Sequence, residues 1–152
     1  YADFLRQGHV GFTAFALANG DAVGMAWCSQ STFTDQFYGC KIELADGEIF
    51  QMAGEIAEPF RNTPVTANVQ FAAWDHWHAQ GKKRVLTLIQ DDKAPSMKFS
   101  LSAGYREAGK AYVIHRILGL KFFQIVSYEG ERFAHHKKEN RRANTGEHPQ
   151  PG

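Results

Sequence analysis

Residues 9–19 are rich in β-branched and aromatic side chains, which predicts a strand, and 105–118 and 120–128 are predicted to pair as a second antiparallel hairpin. The first strand is predicted within 9–19, and Asn19-Gly20-Asp21 follows it as a hairpin signal, because a type I′ turn requires positive φ at both central residues. The partner strand then alternates bulky residues with small ones, so that each set lies on its own face: Val23, Met25 and Trp27 on one, and Gly24, Ala26 and Cys28 on the other.

The middle of the chain has the pattern strand, sharp turn, helix, strand. A strand is predicted over 48–57, and the turn over 61–66 leads into a helix that begins at Val65 and stops at Gly81. Pro64 suits the first turn of a helix, and glycine suits its end. The apolar residues of this helix form two opposite stripes, which predicts that both sides are covered.

The nearly continuous apolar run 85–89 is typical of a parallel strand covered on both faces. Together these segments predict one parallel βαβ crossover. The crossover helix would start just beyond the carboxyl end of the first strand, where free N–H groups and the positive end of the helix dipole favour an anion. The turn 61–66 is therefore the leading candidate for a binding site.

The remaining segments complete a mixed sheet. We predict an irregular connection over 29–47, a short helix from Pro95 to Gly104, and a second hairpin about Gly119. Four residues of that hairpin are expected in the core: Phe122, Phe123, Ile125 and Val126. The fold class is α/β, or α+β with a mixed sheet, in a single domain over 1–130, and a polar, basic, mobile tail is expected over 131–152.

Composition narrows the class of function. The chain has 152 residues, of which 43% are hydrophobic and 22% charged, and its formal net charge is +1. This charge predicts no general attraction to nucleic acid or to a membrane surface, and no apolar run approaches the roughly 20 residues of a spanning helix. The start of the chain has neither an initiating Met nor the plan of a signal peptide, so we expect it to begin inside an element of a longer protein in the cytoplasm.

The side chains that could bind a metal or nucleic acid have simpler interpretations. Cys28 and Cys40 have no zinc or redox spacing and are interpreted as buried thiols of a reducing compartment. His76 and His78 are two apart on a helix and point away from each other, so one ion cannot bind both, and no metal is predicted. His115 could face a cleft or contact the neighbouring strand. The basic tail residues lack an aromatic platform for nucleic acid: His135, His136, Lys137, Lys138, Arg141 and Arg142.

The order of elements and the residues of the turn resemble the GNAT superfamily of N-acetyltransferases over roughly residues 4 to 128. The family's pyrophosphate loop, Arg/Gln-x-x-Gly-x-Gly/Ala, falls on 61–66. The family's later Asn-x-x-Ser/Ala, followed eight residues on by Gly-Phe, falls on Lys93 to Ser96 and on Gly104-Tyr105. The expected architecture is thus GNAT-like, with an N-terminal antiparallel hairpin, one central parallel βαβ crossover and a C-terminal hairpin.

The resemblance implies an acyl-CoA site with acetyl-CoA, or another acyl-CoA, as cosubstrate. The backbone of Ile56 would pair with pantetheine. The diphosphate would be bound by backbone or side-chain groups of the turn and of the next helix: Arg61, Asn62, Thr63, Val65, Thr66, Lys93 and Ser96. The resemblance further requires that positions 56 and 86 are not paired, because the cosubstrate enters a gap between their strands.

Four positions depart from the family pattern, one of which is Lys93 in place of the asparagine of the helix motif. Pro64 and Thr66 replace the two loop glycines, and Ser100 stands where the family often has a tyrosine acid. Pro64 removes one N–H donor outright. These departures favour an alternative in which the domain is a catalytically degenerate GNAT-fold interaction module, and a Fem-type aminoacyl transferase is a third alternative.

The principal hypothesis is transfer of an acetyl or acyl group from CoA to a primary amine of a small molecule or peptide. A neutral amine must attack, so a carboxylate is needed to accept its proton. Glu48 and Glu55, at the two ends of the strand before the turn, are the candidates by position. The acceptor, the acyl chain length and a homodimer remain open at this stage.

Overall fold

The computed structural model describes residues 1–35 and 39–133. Its helices are α1 (Ala2–Arg6), α2 (Val65–Ala79) and α3 (Ala94–Ser102), with a 3₁₀ turn at Glu58–Phe60. Its strands are β1 (Val10–Phe15), β2 (Ala22–Ser29), β3 (Phe33–Thr34), β4 (Lys41–Ile42), β5 (Glu48–Ile56), β6 (Arg84–Thr87), β7 (Lys110–Ile117) and β8 (Leu120–Ser127). The contacts divide the chain into two compact units, 1–88 and 89–152.

The first unit contains a mixed four-stranded sheet in the order β1-β2-β5-β6. β1 pairs antiparallel with β2, and β2 pairs antiparallel with β5. β5 and β6 are parallel and are connected through α2. The mixed sheet, the N-terminal hairpin and the single parallel crossover predicted from the sequence are confirmed. Within the predicted irregular connection, β3 and β4 form a short antiparallel ladder.

A bulge interrupts β5 at the point where its pairing with β6 stops. Trp27 of β2 pairs with Ala53 and Cys28 pairs with Gln51, so Met52 is an extra residue without a partner on β2. On the other side, Gln51 pairs with Thr87 in the last rung between β5 and β6. A bulge bends its strand and increases the local twist. β5 therefore continues as far as Ile56 without β6 beside it.

α2 lies close to the sheet because β2 has a glycine beneath it. A Cβ atom placed on Gly24 would lie 2.8 Å from Ile56 Cδ1, 3.0 Å from Val65 Cγ1 and 3.5 Å from Val69 Cγ2. The buried face of the helix is one stripe of residues: Val69, Gln70, Ala73 and Trp77. Trp77 packs with Cys28 and Ile49 in the core of this face. The prediction that α2 is covered on both sides is wrong, since Phe71 is 51% exposed.

The opposite face of the sheet carries a chain of aromatic rings. Tyr1 stacks on Trp27 with ring centroids 5.7 Å apart, and Phe4 of α1 contacts both Trp27 and His9 edge to face. His9 is buried, and burial lowers the pKa of its imidazole. The alternation predicted for β2 is therefore confirmed, because its bulky residues face α1 and its small residues face α2.

Two other predictions about local structure are wrong. The first hairpin does not use a type I′ turn at Asn19-Gly20, since only Gly20 has positive φ there, and the Ala16 N–H donates to the Asp21 carbonyl across a longer loop. The two-residue turn with positive φ at both positions is Leu118-Gly119, between β7 and β8. β6 is an end strand of its sheet and is only half-buried, so it is not covered on both faces.

The second unit contains α3 and the hairpin of β7 and β8, which forms a two-stranded sheet of its own and does not complete the mixed sheet as predicted. The hairpin is confirmed, but three of the residues expected in its core are exposed: Phe122, Phe123 and Ile125. Val126 is half-buried. Among the described residues, no helix is both long enough and apolar enough to cross a membrane.

Glu107 holds the segment that follows the hairpin. Its carboxylate accepts hydrogen bonds from the Tyr128 hydroxyl at 2.8 Å and from the Arg132 and Phe133 N–H groups at 3.0 and 2.7 Å. Of the predicted tail, residues 131–133 are thus anchored, and 134–152 lie outside the described residues. Burial alone would raise the pKa of Glu107, but the hydrogen bonds from Phe133, Tyr128 and Arg132 and the charge of Arg132 lower it below 4.5.

We expect this anchor to weaken in acid. Because the pKa of Glu107 is depressed in the folded chain, its stabilisation is present above the ordinary value of 4.5 and is lost as the pH falls through the lower, folded pKa. In Glu107→Ala, hydrogen exchange at the Phe133 amide should accelerate about tenfold or more at neutral pH, because a hydrogen bond to a charged group contributes about 1.5 kcal/mol or more. Glu129→Ala is the matched control, and equal exchange in the two variants contradicts the prediction.

Candidate functional site

Within the first unit, the outer edge of β5 beyond the bulge has no strand paired with it, and this stretch is called the open edge. β6 pairs only with 48–51, so Leu86 lies beside Phe50 and not beside Ile56. The Ala57 N–H donates to the Val23 carbonyl of β2 at 2.9 Å. Because neighbouring residues of a strand direct their backbone groups to opposite edges, the N–H and C=O of Gly54 and Ile56 point away from β2. Positions 56 and 86 are therefore not paired, as the resemblance requires.

The N-terminus of α2 lies directly after this edge and offers two N–H donors. Among the described residues, the backbone N–H groups of Thr66 and Ala67 have no hydrogen-bond partner, while the Asn68 N–H already donates to the Pro64 carbonyl at 2.9 Å. Unpaired donors and the positive end of the dipole of this 15-residue helix together favour an anion. The nearest cation is Arg61, whose Nε donates to the Ile56 carbonyl at 3.3 Å and so links the loop to the open edge.

Two polar residues, Asn62 and Thr63, shape the loop before α2. Asn62 has a positive φ of 61°, a conformation that Asn tolerates better than most residues. Thr63 Oγ1 donates to the Phe60 carbonyl at 2.6 Å and accepts a hydrogen bond from the Val65 N–H at 3.4 Å. The Val65 N–H is thus already used within the loop, whereas the Thr66 N–H, which is also in the predicted set, has no partner among the described residues.

Glu55 lies on the face of the sheet that is opposite to α2. Its Oε2 accepts a hydrogen bond of 2.9 Å from the Tyr1 hydroxyl, and the rest of the carboxylate is exposed. The hydrogen bond to Glu55, partial burial and the negative charge of Glu55 all raise the pKa of Tyr1. Glu55 adjoins Gly54 and Ile56 in sequence, so this carboxylate lies on the same short stretch of β5 as the open edge.

Glu48 is in a different environment, although it is on the same strand. Its side chain is 10% exposed, Oε1 lies 2.7 Å from Arg84 Nη1, and Oε2 accepts a hydrogen bond from the Ala45 N–H at 2.9 Å. Both carboxylate oxygens therefore join β5 to β6 and to the preceding turn. Glu48 also lies at the far end of β5, on the side of the bulge where β6 is paired.

Lys93 and Ser96 lie at the beginning of α3, in the second unit. Lys93 is the N-cap residue of that helix, and its carbonyl accepts from the Met97 N–H at 3.0 Å. The site formed within the first unit therefore brings together residues of the predicted set from β5, the loop and α2: Glu55, Ile56, Arg61, Asn62, Thr63, Val65 and Thr66.

The cysteines and histidines in the described part of the chain have separate surroundings. Cys28 and Cys40 are free and buried, and burial raises the pKa of the Cys28 thiol to about 11. His76 contacts Gln80, with Nε2 and Nε2 2.6 Å apart, and His115 Nε2 lies 3.2 Å from Gln124 Oε1 on the neighbouring strand. Within 1–35 and 39–133, no group of three His, Cys, Asp or Glu residues could hold a metal ion.

Four features of the site were not predicted from the sequence. They are the bulge at Met52, the Tyr1 partner of Glu55, the free N–H of Ala67 and a pair of amides formed by Gln51 and Gln70. The free N–H of Ala67 follows from the exact start of α2, and the amide pair follows from the face that each Gln occupies. Only the turn residues before Val65 gave a signal for the helix start.

Solved structures with a similar fold are acetyltransferases. An aminoglycoside N-acetyltransferase, AAC(6')-Iy, in complex with CoA has a TM-score of 0.56 and 19% identity, over 76% of this chain and 87% of that one. The same enzyme with the bisubstrate analog CoA-S-monomethyl-acetylneamine has a TM-score of 0.55 and 21% identity, over 76% and 79%. A putative acetyl transferase from Pyrococcus furiosus has a TM-score of 0.57 and 18% identity, over 77% and 71%.

No protein-family model and no curated protein sequence matches the chain. At these identities the similarity concerns the fold. This chain has the fold of the GNAT N-acetyltransferases.

Proposed function

We propose that this chain is an acyl-CoA-dependent N-acyltransferase, which moves an acetyl group from CoA to a primary amine. The single observation that carries the proposal is the open edge of β5 next to the free N–H groups of α2. An extended pantetheine arm can pair with an unpaired strand edge, while a diphosphate suits a helix N-terminus. One ligand with both parts fits this arrangement, and acetyl-CoA is such a ligand.

The diphosphate would be bound chiefly by backbone groups. The Thr66 and Ala67 N–H groups are free to donate, and the Arg61 guanidinium, next to the Ile56 carbonyl, supplies a positive charge. The pantetheine arm would then follow Gly54 and Ile56 along the open edge. This arrangement puts the thioester near the bulge, beside the part of β5 that also carries Glu55.

The reaction requires a neutral amine and a polarised thioester carbonyl. The amine nitrogen attacks the carbonyl carbon, and a backbone N–H on the open edge of β5 stabilises the charge that develops on the carbonyl oxygen. The C–N bond forms, the C–S bond breaks, and the thiolate of CoA leaves and takes a proton from water. Glu55 accepts the proton of the amine directly or through one water molecule, since its carboxylate is exposed and adjoins that edge.

The acceptor is proposed to be a small molecule or peptide with a primary amine. The structurally similar AAC(6')-Iy acts on aminoglycosides by its name, which makes amino sugars a first choice to test. A second candidate function is a non-catalytic interaction module. It is favoured by one observation, because Pro64 has no N–H and the Val65 N–H is already bound to Thr63, so the loop offers fewer donors than the family pattern would.

A binding and turnover experiment separates the two functions. Isothermal titration with CoA should give a dissociation constant in the micromolar range, and thiol release from acetyl-CoA should depend on an added amine from a panel of amino sugars, polyamines and amino acids. CoA binding without turnover on the panel would support the interaction module. No binding at millimolar CoA would contradict both the cosubstrate and the proposed reaction.

A further inference from the structure

Gln51 and Gln70 form a closed pair of amides between the sheet and α2. Gln51 Nε2 donates to Gln70 Oε1 at 2.8 Å, and Gln70 Nε2 donates to Gln51 Oε1 at 2.6 Å. Gln70 is 5% exposed and lies in the buried stripe of the helix next to Val69. Gln51 is half-buried on β5, two residues after the fully buried Ile49. Two polar side chains thus meet within an otherwise apolar interface.

The position of this pair on β5 is as informative as its geometry. Gln51 forms the last rung with β6, at Thr87, and it directly precedes the bulge at Met52. The pair therefore joins α2 to the sheet at the point where β5 stops pairing with β6 and its open edge begins. Gly54 and Ile56 lie only a few residues further along the same strand.

Stability alone does not account for the pair. Replacing both partners of a buried hydrogen bond with apolar groups of similar shape is often nearly neutral, whereas removing only one partner costs about 1–3 kcal/mol. The stripe formed by Val69, Ala73 and Trp77 would hold the helix against the sheet in any case. Apolar contacts also limit sliding, but they are not directional and so restrict the position of the helix along the strand less narrowly than hydrogen bonds do. Two reciprocal hydrogen bonds fix this position.

The N–H donors of α2 lie close to this fixed point. Thr66 and Ala67 precede Gln70 by four and three residues, which is about 6 and 4.5 Å along the helix axis. A slide of the helix would therefore move the donors relative to the open edge by the same amount. The pair has a direct geometric effect on the spacing between the end of the helix and Gly54.

We propose that Gln51 and Gln70 are positioning residues, which hold the anion-binding end of α2 at the spacing that one CoA molecule requires to reach the open edge of β5. This inference rests on the proposed function, because it assumes that CoA occupies both places at once. A linked ligand gains affinity only when both of its parts can bind simultaneously. The pair thus determines how strongly the two halves of CoA reinforce each other.

The test compares CoA with its two halves, pantetheine and 3′-phosphoadenosine 5′-diphosphate, by isothermal titration. The variant is Gln51→Met/Gln70→Met, in which an apolar side chain of similar length replaces each amide. We expect the variant to bind each half within about threefold of the wild type, but CoA at least about tenfold more weakly. Thermal unfolding should show little change, since both partners of the bond are removed.

Two other results of this titration would overturn the proposal. A role in stability alone would leave all three affinities unchanged in the folded variant or lower all three in parallel, and either result overturns it. Gln70→Asn keeps the amide but shortens it by one methylene, so it should also weaken CoA selectively, which provides a second test if the double variant does not fold. If the wild type binds no CoA, the proposed function itself fails, whereas normal CoA binding by both variants refutes only the positioning role.

Discussion

Replacing Glu55 with Gln should lower kcat for acetyl transfer by about 100-fold or more, while the dissociation constant of CoA changes less than about threefold. A positioned general base typically contributes 10²- to 10⁴-fold to the rate, and an amide cannot accept the amine proton. Gln keeps an oxygen that can accept the hydrogen bond from Tyr1, so the local structure should persist. Steady-state kinetics with the best acceptor from the amine panel, together with CoA titration, measures both quantities.

Glu48→Gln is the matched control for this experiment. Its carboxylate is held by Arg84 and by the Ala45 N–H, so its replacement should lower the melting temperature and leave kcat within a few fold of the wild type. The opposite pattern, with kcat lost in Glu48→Gln and kept in Glu55→Gln, would assign the base to Glu48. Full turnover in both variants would remove a carboxylate base on β5 from the mechanism.

Replacing Thr66 with Glu should reduce CoA affinity by more than tenfold without reducing the stability of the protein. A carboxylate in the first turn of α2 interacts favourably with the helix dipole, by about 0.3–1 kcal/mol. The same carboxylate would lie beside the bound diphosphate, and two like charges about 5 Å apart near a protein surface repel by about 3 kcal/mol. Titration with CoA and thermal unfolding should therefore change in opposite directions.

The control is Thr66→Gln, which has a similar shape but no charge, and it should bind CoA within about threefold of the wild type. Pantetheine, which has no diphosphate, should bind to the Glu variant as it does to the wild type. Unchanged CoA affinity in Thr66→Glu would mean that the diphosphate is not bound at the N-terminus of α2. Equal weakening by Gln and Glu would indicate that the Thr66 hydroxyl matters more than the charge.

The path of the chain through the central crossover could be predicted because its signals are local. Pro64 and Gly81 mark the two ends of one helix, and a strand-like segment lies before it and another after it. A parallel pair joined by such a helix then places the turn at one edge of the sheet. The position of the turn follows from these rules, as does its suitability for an anion.

The details that determine the chemistry depend on pairing between distant segments. The bulge at Met52 exists only in the register between β5 and β2, and Gly54, a glycine within the strand, does not by itself locate it. For the same reason, Glu48 and Glu55 could not be distinguished from the sequence. Only the register with β6 shows that Glu48 lies beside Arg84, whereas Glu55 lies beyond the last rung.

Exposure was the least predictable property. Phe71 of α2 and Phe122 of β8 are apolar residues in regular elements, and both were expected to be covered, yet about half of each is exposed. Periodicity shows which residues share a face of an element. Which of two apolar faces meets another element depends on the packing of the whole unit, and a local pattern does not contain that information.

Gly24 has a consequence for how recognition of a phosphate group could be preserved or lost in such a domain. The two glycines that normally allow close approach are missing from the loop, but a residue without a side chain lies under Val65, on a strand that need not touch the ligand. In this chain a small residue is thus required on β2, beneath the start of α2, and not in the loop. Under the proposed function, substitutions of Gly24 would alter cosubstrate selectivity without touching the cosubstrate. Mutagenesis restricted to residues in contact with the ligand would overlook this position.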